Sequence, residues 1–334
     1  MPISYNALVV DETPDGRYQR AIRECTTADL PDHEVLIEVY YSALNYKDAL
    51  SATGNKGVTQ QFPHTPGIDA AGVIAESRDK RFTPGDEVIV TSYDLGQNTP
   101  GGLGQYISVP ADWIVPLPAG LTLRESMMFG TAGFTAAYGV DKLLQNHINP
   151  ASGEILVTGA TGGVGSLAVA LLAQNGFSVI AATGKAQQES YLKKLGAAKI
   201  IDRDAVYSNS DKPLLSSQWT GAIDTVGGAM LDAVLRQTAH NGCVACCGNI
   251  LGGKLTTSIY PFILRGVSLA GIDSGRCLMP KRKAIWHRLA TNWKPTVLDI
   301  ICSECSLEAL SAEIDRILKG GQRGKILVKL QQLS

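Results

Sequence analysis

The sequence predicts an α/β protein in which a small N-terminal β-barrel precedes a doubly wound, six-stranded parallel sheet. The first ~120 residues contain irregular strands separated by Gly/Pro turns, which is typical of a small barrel. From residue 154 to residue 271, short apolar strands alternate with helices, as in a doubly wound sheet. With 334 residues and 45% hydrophobic content, the chain is long enough to form two domains.

The N-terminal region contains apolar runs that predict strands over residues 34–40, 72–76, 87–91 and 104–109. A capping box, Thr122-Leu123-Arg124-Glu125, then predicts the start of a helix that runs towards Tyr138. Because the period of the apolar residues changes here, we place a domain boundary at 124/125.

Beyond this helix, strands and helices alternate. The predicted strands span residues 154–158, 178–182, 199–201, 220–226, 242–247 and 267–271, and the predicted helices span 164–175, 186–195 and 229–238. Two further helices, over 280–293 and 307–318, precede a closing strand over 325–330. A terminal strand needs a sheet to join, so we expect one domain of residues 1–124 and 296–334, and a second of residues 125–295.

A glycine-rich turn, Gly159-Ala160-Thr161-Gly162-Gly163-Val164-Gly165, follows the first strand of the alternating region. Glycine lets the chain reverse tightly and approach a pyrophosphate, and the N-terminus of the following helix attracts an anion. Ala160 replaces the usual first glycine, but the turn lies on the first strand of a complete sheet, as dinucleotide binding requires. We therefore predict that Gly162, Gly163 and Val164 bind a dinucleotide.

The residues after the second strand of this sheet predict which nicotinamide cofactor is bound. Where NAD-binding proteins carry an acidic side chain for the ribose 2′-hydroxyl, this chain has Thr183-Gly184-Lys185 and no carboxylate before Glu189. A hydroxyl, a backbone amide and an ammonium suit the 2′-phosphate of NADP, and Arg203 could close the pocket. We predict NADPH. Alternatively, Thr183 only begins a turn and Lys185 is a solvated surface residue.

Charge and composition exclude several classes of partner. The 30 Lys and Arg residues balance the 31 Asp and Glu residues, so there is no basic field for nucleic acid. No window has the ~18 consecutive apolar residues of a membrane span, and the N-terminus lacks a signal-peptide pattern. We expect a cytoplasmic protein without a membrane partner.

The seven cysteines include the pairs Cys243/Cys246 and Cys302/Cys305, whose spacing would suit a four-cysteine zinc site. However, Cys243 to Cys247 lie in an apolar run that predicts a buried strand, and residues three apart on a strand point to opposite faces. We therefore expect reduced thiols and no metal.

Several motifs that follow one another along the chain resemble those of one family. They are Asn45-Tyr46-Lys47-Asp48, Pro66-Gly67-Ile68-Asp69-Ala70-Ala71-Gly72, Asp224-Thr225-Val226-Gly227-Gly228, Cys247-Gly248-Asn249, 261–267 and Gly271-Ile272-Asp273-Ser274. With the barrel and the nucleotide domain, they resemble the medium-chain dehydrogenase/reductase superfamily, its zinc-free quinone oxidoreductase branch and, within it, the YhdH/AcuI-type acryloyl-CoA reductases. The resemblance implies a GroES-like catalytic domain and a Rossmann domain for NADP.

The resemblance also implies a chemistry. Zinc-dependent alcohol dehydrogenases of this superfamily carry a Gly-His-Glu segment and then four cysteines, whereas this chain has Gly67-Ile68-Asp69 and no cysteine between Asp79 and Trp113. Without a Lewis acid, hydride delivery to an activated C=C is favoured, because hydrogen-bond donors can stabilise the enolate.

The leading prediction is therefore an NADPH-dependent, zinc-independent oxidoreductase of CH–CH groups that reduces acryloyl-CoA to propanoyl-CoA. One alternative is an NADPH:quinone oxidoreductase. Another, from a different class, is an NADPH-binding sensor or structural protein with little turnover.

The motif residues form the predicted site. Asn45 is expected to orient the nicotinamide ribose or the substrate carbonyl, Tyr46 to donate a hydrogen bond or a proton, and Asp48 to hold the segment; alternatively, Tyr46 only packs and water supplies the proton. The resemblance adds cofactor contacts from Thr131, Gly248, Asn249, Ile272, Ser274 and Arg323. Asn249 could instead only end a strand, and Arg323 could only cap the final strand.

Two further features concern partners. The run Lys281-Arg282-Lys283 would either meet the phosphates of CoA or form the solvated first turn of a helix. The last strand of the sheet, Val267 to Gly271, would be an exposed edge, so we expect a homodimer. The expected partners are a small-molecule substrate, either an enoyl thioester or a quinone, and a second copy of the chain.

Overall fold

The structure is a computed structural model that describes residues 1–207 and 210–331. The chain divides into two compact units. The first unit contains Met1–Thr131, Gly275–Ala290 and Cys302–Ser334, and the second contains Ala132–Ser274 and Thr291–Ile301. The domain boundaries predicted at 124/125 and 295/296 remain predictions.

Strands and α-helices are numbered in chain order. The strands are β1 Ser4–Glu12, β2 Tyr18–Thr26, β3 Val35–Leu44, β4 Asp69–Ser77, β5 Glu87–Thr91, β6 Tyr106–Val109, β7 Ile114–Pro116, β8 Glu154–Val157, β9 Ser178–Thr183, β10 Lys199–Asp202, β11 Trp219–Asp224, β12 Thr238–Cys246, β13 Ser268–Gly271, β14 Cys302–Ser306 and β15 Lys325–Lys329. The helices are α1 Tyr46–Ser51, α2 Leu123–Gln145, α3 Gly163–Gln174, α4 Glu189–Lys194, α5 Gly228–Arg236, α6 Tyr260–Arg265, α7 Met279–Ala290, α8 Leu298–Ile301 and α9 Leu310–Leu318.

The first unit is built on a sheet with the strand order β14-β15-β3-β4-β5-β7, in which β6 also pairs with β3. β3 alternates buried and partly exposed side chains, and its buried residues Val35, Ile37 and Val39 lie in the apolar core. β15 pairs antiparallel with β3, which confirms that the closing strand returns to the N-terminal sheet. β1 and β2 form a two-stranded antiparallel sheet of their own.

Strand β14 was not predicted from the sequence. Each of its side chains is half-buried or exposed, so it shows no apolar alternation from which a strand could be inferred. The strand places Cys302 and Cys305 in the first unit, whereas Cys243 and Cys246 lie on β12 of the second unit. Within the residues that the structure describes, no group of three or more His, Cys, Asp or Glu side chains could hold a metal ion.

Helix α2 begins with the predicted capping box. The Thr122 N–H donates to Glu125 Oε2 (3.0 Å), and the Glu125 N–H donates to Thr122 Oγ1 (3.1 Å). The predicted helix is interrupted, however, because Gly130 has φ 51° and ψ −155°. A Cβ on Gly130 would lie 2.5 Å from Asp69 Oδ2, so both the backbone conformation and the available space require glycine.

The second unit contains a six-stranded sheet with the order β10-β9-β8-β11-β12-β13, and every neighbouring pair is parallel. This order confirms the predicted doubly wound sheet. The two largest differences from the prediction are that residues 186–195 form a 3₁₀ turn, Ala186–Gln188, followed by α4, and that β12 begins at Thr238 instead of residue 242. β12 starts early because Thr238 pairs with Trp219 across a bulge.

In residues 1–207 and 210–331, no helix combines the length and the hydropathy that crossing a membrane would need.

Candidate active site and nucleotide site

The glycine turn of the second unit joins β8 to α3. Gly159 has φ 59°, and a Cβ there would overlap with the Thr225 hydroxyl. A Cβ on Gly165 would overlap with the carbonyl oxygen of Gly159, so this glycine lets the helix lie directly against the turn. Gly162 is the N-cap of α3, and Gly163 and Val164 are its first residues, whose N–H groups have no partner within the helix. These N–H groups and the helix N-terminus suit a pyrophosphate.

A buried carboxylate holds this turn in place. Asp224, at the end of β11, accepts hydrogen bonds from Thr158 Oγ1 (2.7 Å) and from the Gly227 N–H (2.8 Å). Thr225 is also hydrogen-bonded to Thr158: its N–H donates to Thr158 Oγ1, and its hydroxyl donates to the Thr158 carbonyl. Burial raises the pKa of Asp224, and the hydrogen bonds that it accepts oppose that shift. The ends of β8 and β11 are therefore tied together next to the turn.

The residues predicted to bind the 2′-phosphate lie together. Thr183, at the end of β9, is buried, and its hydroxyl accepts from the Lys185 N–H (3.1 Å) and lies 3.5 Å from Thr161 Oγ1. A Cβ on Gly184 would lie 2.8 Å from Arg203 Nε, so the absence of a side chain allows the guanidinium to lie against this turn. The Arg203 side chain is 65% exposed, and partial burial lowers the pKa of Lys185. This arrangement of a hydroxyl, an amide and two cations fits the 2′-phosphate of NADP.

Other predicted cofactor residues follow β12 and β13. Gly248 lies so close to the backbone of Thr225 that a Cβ would overlap with the Thr225 carbonyl. Ser274 Oγ accepts a hydrogen bond from Thr135 Oγ1 (2.8 Å). The Asn249 carbonyl accepts from the Gly252 N–H (2.9 Å). An open groove of about 440 Å³ lies at this end of the sheet, and it is lined by Cys246, Cys247, Gly248, Gly271, Ile272 and Asp273. The cofactor contacts of these residues remain predictions.

In the first unit, a cluster of buried and partly buried polar side chains joins four distant parts of the chain. We call Asn45, Asp48, Asp69, Thr131 and Lys325 the polar cluster. Asn45 Nδ2 donates to Asp69 Oδ2 (2.8 Å) and Asp48 Oδ2 (3.2 Å), and Asn45 Oδ1 accepts from Lys325 Nζ (2.6 Å). Asp69 Oδ1 accepts from both the N–H (2.9 Å) and the hydroxyl (2.6 Å) of Thr131. Asp48, Asp69 and Lys325 are each no more than 1% exposed.

The polar cluster contains more acidic than basic groups, since two carboxyl groups lie beside one ammonium. The pKa of Asp48 is raised to about 6, first by burial and then by the negative charge of Asp69. The backbone N–H groups of Asn45 and Ile68, both of which donate to Asp48, and the ammonium of Lys325 lower it. Asp48 therefore carries its charge at neutral pH but takes up a proton in mild acid.

The predicted catalytic residues occupy different surroundings. Asn45 and Asp48 belong to the polar cluster, and both ends of the Asn45 amide are engaged there. Tyr46, the first residue of α1, is 46% exposed. Arg323 is an exposed residue just before β15. Their roles in catalysis and cofactor binding remain predictions.

Asp69 and Lys325 were not among the predicted site residues. Asp69 was noted only as part of the Pro66–Gly72 motif, and Lys325 only as the start of a strand. A signal was available for Lys325, because it is the one charged residue that opens an otherwise apolar run, Ile326-Leu327-Val328. Nothing in the sequence indicated that the two side chains would meet.

The basic run on α7 also differs from the prediction. Arg282 is fully buried, and its guanidinium donates to the Thr91 carbonyl (3.1 Å), to Thr91 Oγ1 (2.9 Å) and to the Gly275 carbonyl (3.1 Å). The suggestion that Arg282 meets the phosphates of CoA, or lies in a solvated turn, is therefore wrong. Lys281 and Lys283 are the more exposed members of the run.

Comparisons with known proteins agree with this architecture. Residues 31–119 match the alcohol dehydrogenase GroES-like domain, and residues 163–291 match the zinc-binding dehydrogenase family. The acrylyl-CoA reductase AcuI of Ruegeria pomeroyi is 42% identical over 325 residues, which cover 97% of this chain and 98% of the relative. The chain belongs to the AcuI/YhdH family of the medium-chain dehydrogenase/reductase superfamily. The predicted resemblance and the GroES-like and Rossmann folds are thereby confirmed.

Two further similar proteins have been solved with nucleotides. The yhdH oxidoreductase of Salmonella enterica, in complex with NADP, superposes with a TM-score of 0.95 at 42% identity, covering 98% of this chain and 100% of that one. YhfP of Bacillus subtilis, whose name places it provisionally among the quinone oxidoreductases, is 47% identical over 92% of this chain and 94% of its own length. Its crystal structure with NAD bound has a TM-score of 0.95, at 45% identity over 98% and 100% of the two chains.

One matching family description mentions zinc, so the fit of a zinc ion can be tested on the polar cluster. Zinc prefers thiolate, imidazole and carboxylate ligands, usually three or four together. Here the polar cluster offers two carboxylates, an amide and a hydroxyl, and the Lys325 ammonium already supplies the positive charge beside Asn45 and Asp69. The residues of the polar cluster therefore do not fit a zinc ion.

Proposed function

We propose that this protein reduces acryloyl-CoA to propanoyl-CoA with NADPH. The observation that carries the proposal is the polar cluster, whose buried hydrogen bonds and one cation hold the segment that leads into the exposed Tyr46 and do not suit zinc. The 42% identity to an acrylyl-CoA reductase over nearly the whole chain supports the choice of substrate. The chain is an oxidoreductase of CH–CH groups, and its cofactor is NADPH.

The reaction makes defined demands on the protein. When bound, NADPH would supply a hydride from a C–H bond of its nicotinamide and leave as NADP⁺. The hydride forms a C–H bond at the β carbon of the thioester, the C=C electron pair becomes a double bond between the α carbon and the carbonyl carbon, and the carbonyl π pair moves to the oxygen. The resulting enolate then takes a proton at its α carbon. The protein must hold the nicotinamide, stabilise negative charge on the thioester oxygen and supply that proton.

Residues of both units meet these demands in the proposal. In the second unit, Gly162, Gly163 and Val164 hold the pyrophosphate, and Thr183, Lys185 and Arg203 hold the 2′-phosphate. In the first unit, both the nitrogen and the oxygen of the Asn45 amide are hydrogen-bonded within the protein, so we assign to Asn45 the role of holding the neighbouring residues in position. The exposed Tyr46 hydroxyl is then the group that donates to the substrate or protonates it, with water as the alternative source.

The role of Tyr46 can be tested with Tyr46→Phe. Loss of a donor or acid at the reacting carbonyl should lower kcat/KM for acryloyl-CoA at least ~10-fold and alter the pH profile. Tyr260→Phe is a matched control, because Tyr260 is 43% exposed and lies on α6 of the second unit. If Tyr46→Phe keeps the wild-type rate and pH profile, the proton comes from elsewhere.

A substrate panel tests the proposed function itself. NADPH oxidation is followed with acryloyl-CoA, a short enone and a benzoquinone, and each is repeated with NADH. The proposal expects kcat/KM for acryloyl-CoA to exceed that for the quinone by at least ~10-fold, and NADPH to be preferred over NADH. A preference for the quinone would favour the second candidate, a quinone oxidoreductase, which the similarity to YhfP supports. Binding of NADPH without turnover of any acceptor would favour the sensor or structural role.

We also propose that the protein is a homodimer. β13 is an edge strand of the second unit's sheet, and the nearby α6 exposes Ile263 (62%) and Leu264 (56%). An unpaired edge beside exposed apolar side chains is commonly covered by a second copy across a two-fold axis. Light scattering at micromolar concentration should give twice the mass of one chain, and a monomeric mass would refute the dimer.

A further inference from the structure

We propose that Lys325 is a positioning residue for the reduction: from the start of β15, its buried ammonium orients the Asn45 amide and keeps the neighbouring carboxylates as hydrogen-bond acceptors. The proposal rests on the proposed function for its kinetic consequences. Its structural consequences can be measured without any substrate.

The contacts of Lys325 motivate this role. Its Nζ lies 2.6 Å from Asn45 Oδ1, 3.4 Å from the Leu44 carbonyl and 3.5 Å from Asp69 Oδ2, so each of its three N–H bonds has an acceptor. The residue is 1% exposed. A lysine buried to this degree is unfavourable unless its charge is compensated, and apolar strand residues would serve the fold at lower cost. The charge is therefore retained for what it does to its neighbours.

The first neighbour is the Asn45 amide. Its oxygen faces the ammonium, and its nitrogen faces Asp48 and Asp69. A rotation of the amide by 180° would point its N–H groups at an ammonium and its oxygen at two carboxylates, so Lys325 selects one orientation. Asn45 also immediately precedes Tyr46, which begins α1. The orientation of the amide therefore fixes the backbone that carries the proposed proton donor.

The second neighbour is Asp69, which determines which hydroxyl group donates and which accepts in the hydrogen bonds of Thr131 and Ser92. The Thr131 hydroxyl donates its only hydrogen to Asp69 Oδ1 (2.6 Å), so in the contact between Ser92 Oγ and Thr131 Oγ1 (3.0 Å) Ser92 must be the donor. Ser92 is held in a left-handed conformation (φ 64°), and its N–H donates to the Ile68 carbonyl. The Lys325 ammonium, 3.5 Å from Asp69 Oδ2, compensates the charge of the carboxylate on which this order depends.

The third neighbour is Asp48. Its pKa of about 6 results from burial and from Asp69 on β4, against which Lys325 on β15 and the backbone N–H groups of Asn45 and Ile68 act. Without the ammonium, the pKa of Asp48 rises further, so the polar cluster takes up a proton at a higher pH than in the wild type. A protonated Asp48 accepts fewer of the three hydrogen bonds that converge on it from Asn45 and Ile68.

The test compares Lys325→Met and Lys325→Arg with Lys329→Met. Lys329 is a matched control, because it lies four residues further along β15, is only partly buried and lies outside the polar cluster. Lys325→Met should lower kcat about 100-fold with NADPH affinity nearly unchanged, because the reacting groups are misplaced. The acidic limb of the kcat/KM profile, near the Asp48 pKa of about 6 in the wild type, should move to higher pH. Lys325→Arg, which keeps the charge, should restore the rate to within about 10-fold.

The dependence of the free energy of unfolding on pH provides a test that needs no substrate. Because the pKa of folded Asp48 is above its ordinary value, its stabilising contribution is present at low pH and is lost as pH rises through about 6. In Lys325→Met this loss should extend to higher pH and become larger. The double variant Lys325→Met with Asp48→Asn, which removes one charge of each sign, should fold even if the single variant does not, should lack the pH-dependent loss and should remain slow.

Several outcomes would overturn the proposal. They are wild-type kcat in Lys325→Met, an unshifted acidic limb and stability curve, equal activity loss in the Met and Arg variants with the same fall in melting temperature, or a wild-type rate in the double variant. If the wild type turns over none of the acceptors, the proposed function fails, while the stability curves still decide whether Lys325 controls the polar cluster.

Discussion

The glycine turn of the second unit and the polar cluster of the first unit both accommodate charged groups, but the turn uses backbone groups and the polar cluster uses side chains. The turn consists of consecutive residues, 159–165, and it presents backbone N–H groups at the N-terminus of α3. The polar cluster consists of side chains from α1, β4, α2 and β15, and nearly all of their polar atoms are turned towards one another.

The difference shows how each site can fail. A backbone site is damaged when a new side chain obstructs the approach of a ligand, whereas a side-chain cluster is damaged when one partner is removed and buried charges are left unpaired. We therefore expect substitutions in the turn to act on NADPH binding, and substitutions in the polar cluster to act on kcat and stability. The following predictions test this division, in order of decreasing effect.

Asp69→Asn should have the largest effect. Its carboxylate accepts from Asn45, Thr131 and Lys325, and an amide would turn an N–H group towards one of these donors. We expect a loss of about 3–5 kcal/mol in the free energy of unfolding, measured with urea, and loss of most turnover. Asp112→Asn is the control. The Asp112 side chain, which pairs with Arg81, is 82% exposed, so this substitution should have no measurable effect on stability. Similar stabilities for the two variants would contradict the prediction.

Asp48→Asn should change how stability depends on pH. The pKa of Asp48 is raised to about 6 in the folded protein, so its ionisation on going from about pH 4 to 7 should cost the wild type about 3 kcal/mol relative to this variant. Chemical unfolding at several pH values measures the difference. Asp79→Asn should show no such trend in this range, because the pKa of Asp79 is lowered to about 2 by its hydrogen bonds with Arg81. Parallel curves for wild type and Asp48→Asn would contradict it.

Gly165→Ala should act on the other site. The new Cβ would overlap with the Gly159 carbonyl and push α3 away from the turn, so we expect NADPH to bind about 30-fold more weakly, or about 2 kcal/mol. The rate at saturating NADPH should change much less. Gly253→Ala is the control, because a Cβ there meets nothing within 4 Å. Unchanged NADPH affinity in Gly165→Ala would show that the turn tolerates a side chain.

Arg203→Ala should have the smallest and most selective effect. Loss of one exposed cation at the proposed 2′-phosphate site should raise KM for NADPH about 10-fold and leave KM for NADH unchanged. Lys193→Ala, which removes an exposed cation that pairs with Glu189 on α4, is the control. An equal loss with NADH would assign Arg203 a structural role in place of cofactor selection.

The same contrast explains what could be predicted from the sequence. The strands of the second unit, its glycine turn and the Thr183-Gly184-Lys185 segment are local patterns, and the sheet order confirms the fold inferred from them. The break at Gly130 could not be predicted, because its cause is the side chain of Asp69, which lies 61 residues away along the chain. Strand β14 was missed because its burial pattern carries no apolar alternation.

The sequence by itself determined the elements whose cause is local: the capping box at Thr122, the glycine turn and the apolar strands of the doubly wound sheet. Only the tertiary structure decided which charges share one buried site. Asp69 and Lys325 meet because β15 pairs with β3 and β3 pairs with β4. Spacing along the chain carries no information about such a contact, since it arises from the pairing of strands that are more than 200 residues apart in the sequence.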